Sequence, residues 1–436
     1  MPSDPGLALA TAELDLEAAW QLLRDGRMLE AEQASRRVLA DKPDHLQALR
    51  FLAGSALRRG AAGEAVDLLN RAANIDRCHI GTLMELGIAY RMAERMDASR
   101  YVLERVLELG EGRNTTARLL LANVLELDQR PELSLLQYFR AIIDAQQTGR
   151  WHDDATTEPT LRALVRHAMR YVTEGRRDLF NAALQPWREH IDSLAMERID
   201  RALAVYLREA DEPPGDSRQR AGLLHIHGLG TSPRVGSESP EWLRTLLSRM
   251  TTLTTEIDAC WTPTSAAQTH ASSLMVADSE PETAQPHEQR IDLHRSGNVP
   301  DTIRRRAPQL LAALADTPLL RVARHGPNAA LISLPSGTHT LPQHGCSNSR
   351  CTVVAGLPNS ARVEIHAGSE PFQVGAGEAM LFDASYAIEY VNRSETEARL
   401  LVFDVWHPVL GHAEQQAVGA LLTAMVDFDT QLQDLA

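Results

Sequence analysis

The sequence predicts a multidomain α + β chain, with an α-solenoid in its N-terminal part and an antiparallel β jelly roll in its C-terminal part. Small and apolar residues recur with a period of 34 over residues 14–145, and a fixed period of that size marks stacked helical units. Apolar or alternating runs separated by Gly, Pro, Asn or Ser crowd residues 331–408, and several short strands at even spacing make a small barrel or jelly roll. Between the two, apolar residues fall at the 3–4 spacing of a helix.

The repeat begins the chain. Gly26 and Gly60 stand 34 apart, with Glu94 and Asp128 continuing the register. Ala31, Ala65, Ser99 and Leu133 share a phase in the second helix of each unit, and Trp20, Gly54, Ile88 and Ala122 share one in the first. Small residues fall where two helices must approach closely, and Pro43 falls at a repeat end. The pattern resembles the tetratricopeptide repeat, in about four units. Such units contact their neighbours and leave a concave face. A polypeptide partner is expected at that face. The competing reading is that the array packs on the rest of the chain or forms a dimer.

Residues 146–212 read as a helical connector that caps the solenoid. Leu161–Val172 and Leu194–Ala210 have helical spacing, Trp187 and Tyr206 are expected core contacts, and His167 and His190 are read as core or surface residues, not ligands. The run Asp211-Glu212-Pro213-Pro214-Gly215-Asp216 signals a linker, set at 213–221. The β domain is then 222–412. It carries a long polar loop at 262–290, with His270 and His287 in it, neither marked as a ligand. A C-terminal helix is expected over 413–436.

Within the β domain, strands are predicted at 330–334, 352–357, 361–367, 379–383 and 400–406. Four polar blocks punctuate them: Pro335-Ser336-Gly337-Thr338-His339, then Pro342 to Arg350, then Phe382-Asp383-Ala384-Ser385, then Asp404-Val405-Trp406-His407-Pro408. These blocks in this order resemble the aspartyl/asparaginyl β-hydroxylase family, whose members are jelly-roll (double-stranded β-helix) dioxygenases using Fe(II) and 2-oxoglutarate. Upstream, Leu223–Leu229 resembles the family's leading strand and Gly-Leu turn, and Leu293–Leu320 resembles its helix before the barrel.

The residues that the resemblance would make chemical are replaced. The family's first iron-binding histidine corresponds to Gln343, and the second to Ile388. Its arginine for the 2-oxoglutarate carboxylate corresponds to Ala398, and a further Arg and His correspond to Thr352 and Val354. Iron sites of this kind need imidazole or carboxylate donors with open positions, and a dicarboxylate needs a bidentate cationic clamp. The expectation is a degenerate, non-hydroxylating domain with no catalytic residue by the family pattern, no metal and no cofactor.

The alternative is an active Fe(II)/2-oxoglutarate-dependent peptide or protein hydroxylase with relocated ligands. His344, Glu389 and Arg399 each stand one position after a replaced residue. A slip of one residue would offer His344 and Glu389 to iron and Arg399 to the co-substrate. Arg350 is a second carboxylate-binding candidate, or else a scaffold hydrogen-bonder. A one-residue shift turns a side chain to the opposite face of a strand, so this reading requires bulges.

Two other constellations stand out. His339, His344, Cys346 and Cys351 are close in sequence, but their spacing matches no zinc module. His225 and His227 share one face of an extended stretch and read as packing residues or a metal pair, while Asp404 and Trp406 read as scaffold.

Composition sets the outer bounds. The chain has 436 residues, a net charge of −14 and one lysine, Lys42, against 43 arginines. An acidic balance argues against a general nucleic-acid surface. No run of residues reaches membrane-spanning length, Met1–Ala10 lacks the signature of a secretory leader, and the four cysteines are scattered. A cytoplasmic protein with neither nucleic-acid nor membrane partners is expected.

Overall fold

The computed structural model describes residues 21–22, 24–261 and 288–435. The chain divides into two compact units, Met1–Arg176 with Thr430–Ala436, and Arg177–Asp429.

The first unit is built of antiparallel helix pairs. Following α1 (Met28–Asp41) come α2 (Leu46–Arg58) with α3 (Ala62–Ile75), α4 (Ile80–Met92) with α5 (Met96–Leu109), and α6 (Thr115–Leu127) with α7 (Pro131–Gln147). The first helix of each pair is capped alike. The side chains of His45, His79 and Asn114 accept hydrogen bonds from the backbone N–H groups of Ala48, Thr82 and Ala117, satisfying donors that a helix start leaves orphaned. The turn between helices of a pair passes through a left-handed residue: Gly26, Gly60, Glu94 and Gln129 have φ of 76°, 77°, 57° and 56°.

The fourth unit departs from the predicted phase. Its left-handed residue is Gln129, not Asp128, and its buried small residue is Ser134, not Leu133, which is 47% exposed. The cause is a longer connection. Lys42–His45 and Asp76–His79 are followed one unit later by Gly110–Asn114, one residue longer. Ala122 is therefore the partner of Gly87 and not of Ile88. The hydrogen bonds agree, since Ser99 Oγ donates to Gly87 O at 2.7 Å and Ser134 Oγ donates to Ala122 O at 2.9 Å. Close helix approach explains the small residues: a Cβ on Gly87 would stand 2.8 Å from a Leu103 methyl. Trp20 lies outside the described residues.

The second unit starts within α8 (Arg162–Leu184), continues through α9 (Ser193–Tyr206), and contains α10 (Glu241–Met250) and α11 (Thr254–Trp261). The stretch 223–229 forms no strand. It makes a single parallel bridge, Leu224 to Ser347. The expected helix at 293–320 is also different. Strand β1 (Gln289–His294) comes first, reaching into the predicted loop, whose residues 262–287 lie outside those described. Then come two short helices, α12 (Asp301–Arg306) and α13 (Pro308–Ala315), divided where Pro308 supplies no N–H.

The strands β2 (Ala329–Leu334), β3 (Arg350–Gly356), β4 (Val363–Ala367), β5 (Glu370–Val374), β6 (Ala379–Asp383), β7 (Ile388–Val391) and β8 (Ala398–Trp406) complete two antiparallel sheets. One has the order β1-β2-β8-β3-β6, and the other β5-β4-β7. Strands β5 and β7 were not predicted. Each carries a polar or short pattern that gives little alternation to read. The closing helix α14 spans His412–Gln433.

Side-chain alternation splits the burial between two cores. Ala330, Ile332, Leu334, Leu400 and Val402 pack with Val363, Ile365 and Ile388, between the two sheets. Their neighbours Leu331, Leu401, Phe403 and Val405 pack with Leu243, Leu246 and Leu310, on the helices covering the outer face of the larger sheet. This is the two-sheet arrangement expected of a jelly roll.

Candidate functional site

The space between the sheets is where strand register aims the sequence-predicted site residues. On β8 the register runs unbroken against β2 and β3: Ala398 faces Leu334, and Asp404 faces Thr352. Ala398, Thr352 and Val354 therefore fall on the same side as the inter-sheet core, with Ala398 and Val354 in the core itself or against it. Gln343 and Ile388 exchange both backbone hydrogen bonds, at 3.0 and 2.9 Å, which makes them a directly opposed pair. Ile388 is 4% exposed, Ala398 and Val354 are fully buried, and Gln343 is half-buried.

Of the three neighbours that a slip would bring in, Arg399 lies on a different surface from His344 and Glu389. His344 Nδ1 lies 3.1 Å from Ser385 O. Glu389 is bound to His339 Nε2 at 2.8 Å. Arg399 pairs with Glu397 at 2.9 Å and with Asp258 of α11 at 3.1 Å, and its guanidinium lies over the Trp261 ring, on the helix-covered side of the larger sheet. The structure sets Arg399 apart from His344 and Glu389. The physical reason is the unbroken ladder. The irregularity in the larger sheet's register lies in β1, between Asp292 and His294, far from these positions in the sheet order.

Arg350 is paired with a carboxylate of the domain itself. Its Nη1 donates to Asp404 Oδ2 at 3.2 Å, and both residues are 2% exposed. Asn328 Nδ2 donates to the same oxygen at 3.1 Å, and Thr352 Oγ1 approaches the other at 3.5 Å. Burial pushes the Asp404 carboxyl up, against the pull of Arg350 and Asn328.

Sequence reasoning missed a second polar group. The pairing of Arg290 with Ile332 turns Arg290 towards the inter-sheet side, where its Nε donates to Asp292 Oδ1 at 2.8 Å. Glu288, whose carboxyl burial pushes up, is on the same alternate set. A reading of 262–290 as loop concealed the strand that aims them. A strand of such polar content carries no apolar alternation that would have exposed it.

The His339–Cys351 cluster is dispersed. His339 is at the outer face of the smaller sheet with Glu389, and Cys351 packs in the core under the helices. Cys346 instead lies 3.0 Å from His325 Nε2, a histidine that sequence reading did not single out. Among the described residues, no group of three or more His, Cys, Asp or Glu is arranged to hold a metal ion. None of the described helices is long and apolar enough to cross a membrane.

Residues 251–408 match the model of the family described as Aspartyl/Asparaginyl beta-hydroxylase. The chain thus joins a helical repeat array of the tetratricopeptide type to a hydroxylase-like domain. Among solved structures it is similar to MamA of MSR-1 in a C2 crystal form, at 19% identity over 31% of this chain and 78% of that one, with a TM-score of 0.30. It is also similar to a mutant O-GlcNAc transferase of Thermobaculum terrenum, at 25% identity over 32% of this chain and 27% of that one, TM-score 0.30. The first tetratricopeptide domain of Spaghetti, bound to an HSP90 peptide, matches at 20% identity over 27% of this chain and 91% of that one, TM-score 0.26. Scores of this size add no argument to the helix geometry above. No curated protein matches the chain.

Proposed function

We propose that this chain is a protein-interaction protein: the repeats recruit a polypeptide, and the hydroxylase-like domain serves as a binding or structural module and does not hydroxylate. The observation that carries this reading is the packing of Ile388, Val354 and Ala398 into the inter-sheet core. An isoleucine has no donor atom for iron, a half-buried glutamine amide is a weak donor, and an alanine cannot clamp a carboxylate. The residues present do not suit Fe(II) or 2-oxoglutarate, and no step through either is derived. A cytoplasmic location suits the four thiols, which are all free.

The recruiting surface in this reading is the face shared by α2, α4 and α6. Arg58, Met92 and Leu127 occupy equivalent last-turn positions of those helices, and Met92 and Leu127 are 41% and 51% exposed. Arg58 also lines a cavity of about 170 Å³, with Gln47, Arg50, Phe51, Gly54 and Glu85. Exposed apolar side chains next to directional polar groups are the makings of a peptide site.

The deciding experiment is anaerobic titration of the full chain with Fe(II) and 2-oxoglutarate, following the charge-transfer absorption that requires both in one site. The expected result is no band, and no succinate on admitting air. A band that disappears in His344→Ala would overturn the proposal in favour of a working oxygenase with relocated ligands.

A further inference from the structure

The stretch 223–229 presents an unused pair of imidazoles. Leu224 and Ile226 are buried there, at 1% and 0% exposure, while His225 and His227 remain half-exposed. This alternation is that of extended backbone. Asn348 clamps it: Oδ1 accepts from Ile226 N at 2.7 Å, and Nδ2 donates to Ile226 O at 2.8 Å. The two histidines are thereby held on one side, with ring centres 4.8 Å apart and planes at 84°.

Their hydrogen bonding is incomplete in an informative way. His227 Nε2 lies 3.2 Å from Pro213 O. A carbonyl only accepts, so Nε2 holds the proton and Nδ1 keeps its lone pair. That Nδ1 is buried without a hydrogen-bond partner, and so is Nδ1 of His225. Buried polar atoms left unpaired are rare and call for a missing water or ion. One ring nitrogen donating to a carbonyl while the other is free is also how a metal-ligating histidine is oriented.

The ring spacing suits a shared cation. An imidazole nitrogen sits about 1.1 Å from the ring centre and about 2.1 Å from a zinc ion that it binds. Two ligating rings then have centres about 4.5–5.2 Å apart, for angles at the metal between a right angle and the tetrahedral value. The observed 4.8 Å falls inside that range.

We propose that His225 and His227 form a two-histidine site for a borderline divalent transition cation such as Zn²⁺, with water completing its coordination. Imidazole donors suit zinc, copper and nickel and leave magnesium and calcium unbound. The site is separate from the inter-sheet positions and does not depend on whether those bind iron.

The test is calorimetric titration of the untagged full chain with Zn²⁺. A saturable site is expected, weakened at least about tenfold in His225→Gln and in His227→Gln, and unchanged in His339→Gln at the smaller sheet. A second measurement needs no variant: Zn²⁺ should shield His225 and His227 of the native chain from diethyl pyrocarbonate, read by mass spectrometry. Absence of saturable binding, equal affinity in folded His225→Gln and His227→Gln, or unshielded rings would each overturn the proposal.

Discussion

Arg350 and Asp404 form an ion pair with 2% of each side chain exposed, a setting in which the pair and its parts behave differently. Both ions have lost their water, and their mutual attraction together with the Asn328 bond offsets that loss. Removing one partner strands the other. Asp404→Leu or Arg350→Met alone is expected to lower stability by about 3–5 kcal/mol. The double variant, which leaves no buried charge, should recover most of that loss. Chemical denaturation of all four proteins measures the coupling. Purely additive losses would mean that the two ions do not depend on each other. The pair also marks how far sequence reached at this scale. Asp404 was legible as scaffold, and Arg350 as scaffold or carboxylate binder, because blocks of fixed spacing contain them. His325, the partner of Cys346, was not, since it lies 21 positions away and only the fold joins them.

At the scale of the helical pair, the repeat's turns differ in quality. All four pass through the left-handed region, but Gly26 and Gly60 do so freely whereas Glu94 and Gln129 carry side chains there. The strain at such a position is of order 1 kcal/mol. Glu94→Gly is therefore expected to stabilise the chain by about 0.5–1 kcal/mol, and Gly60→Glu to destabilise it by a similar amount. His79→Ala tests the opposite end of the same unit. Losing the cap to the Thr82 N–H, 3.0 Å away, should cost about 1 kcal/mol. Thermal midpoints read each change, and a stabilising Gly60→Glu would contradict the turn argument. These elements also explain what was readable. A 34-residue period survives in the helices because helix crossing demands small residues at fixed offsets. It drifted by one in the last unit because a loop tolerates an added residue at little free-energy cost. The strands were readable where burial alternates. They were hidden in β1, β5 and β7, where one face is polar or the strand is short.

At the scale of the whole molecule, protons couple to stability through two kinds of group in the Arg177–Asp429 unit. Burial pushes His407 and His325 down to about 4, below the ordinary value of about 6.5 that they regain on unfolding. The unfolded chain takes up these protons first. Their contribution to stability is complete above about pH 6.5 and is lost as pH falls toward 4, by at most about 3.4 kcal/mol for each. Asp216 works lower on the scale. A side-chain hydrogen bond from Arg218, with a backbone bond from the same residue, holds its carboxyl down at about 2. Its stabilisation is complete above the ordinary carboxylate value of about 3.9 and disappears as pH falls through 2. Acid should therefore weaken this unit in two successive stages. Urea midpoints measured against pH, with a probe in this unit, would separate them. His407→Gln is expected to shrink the stage between pH 6.5 and 4, leaving the share of His325, with the lower stage unchanged, while Asp216→Asn should remove the lower stage and leave the upper one. If both variants kept the native profile, the acid response would have to come from the chain's general charge and not from these two sites.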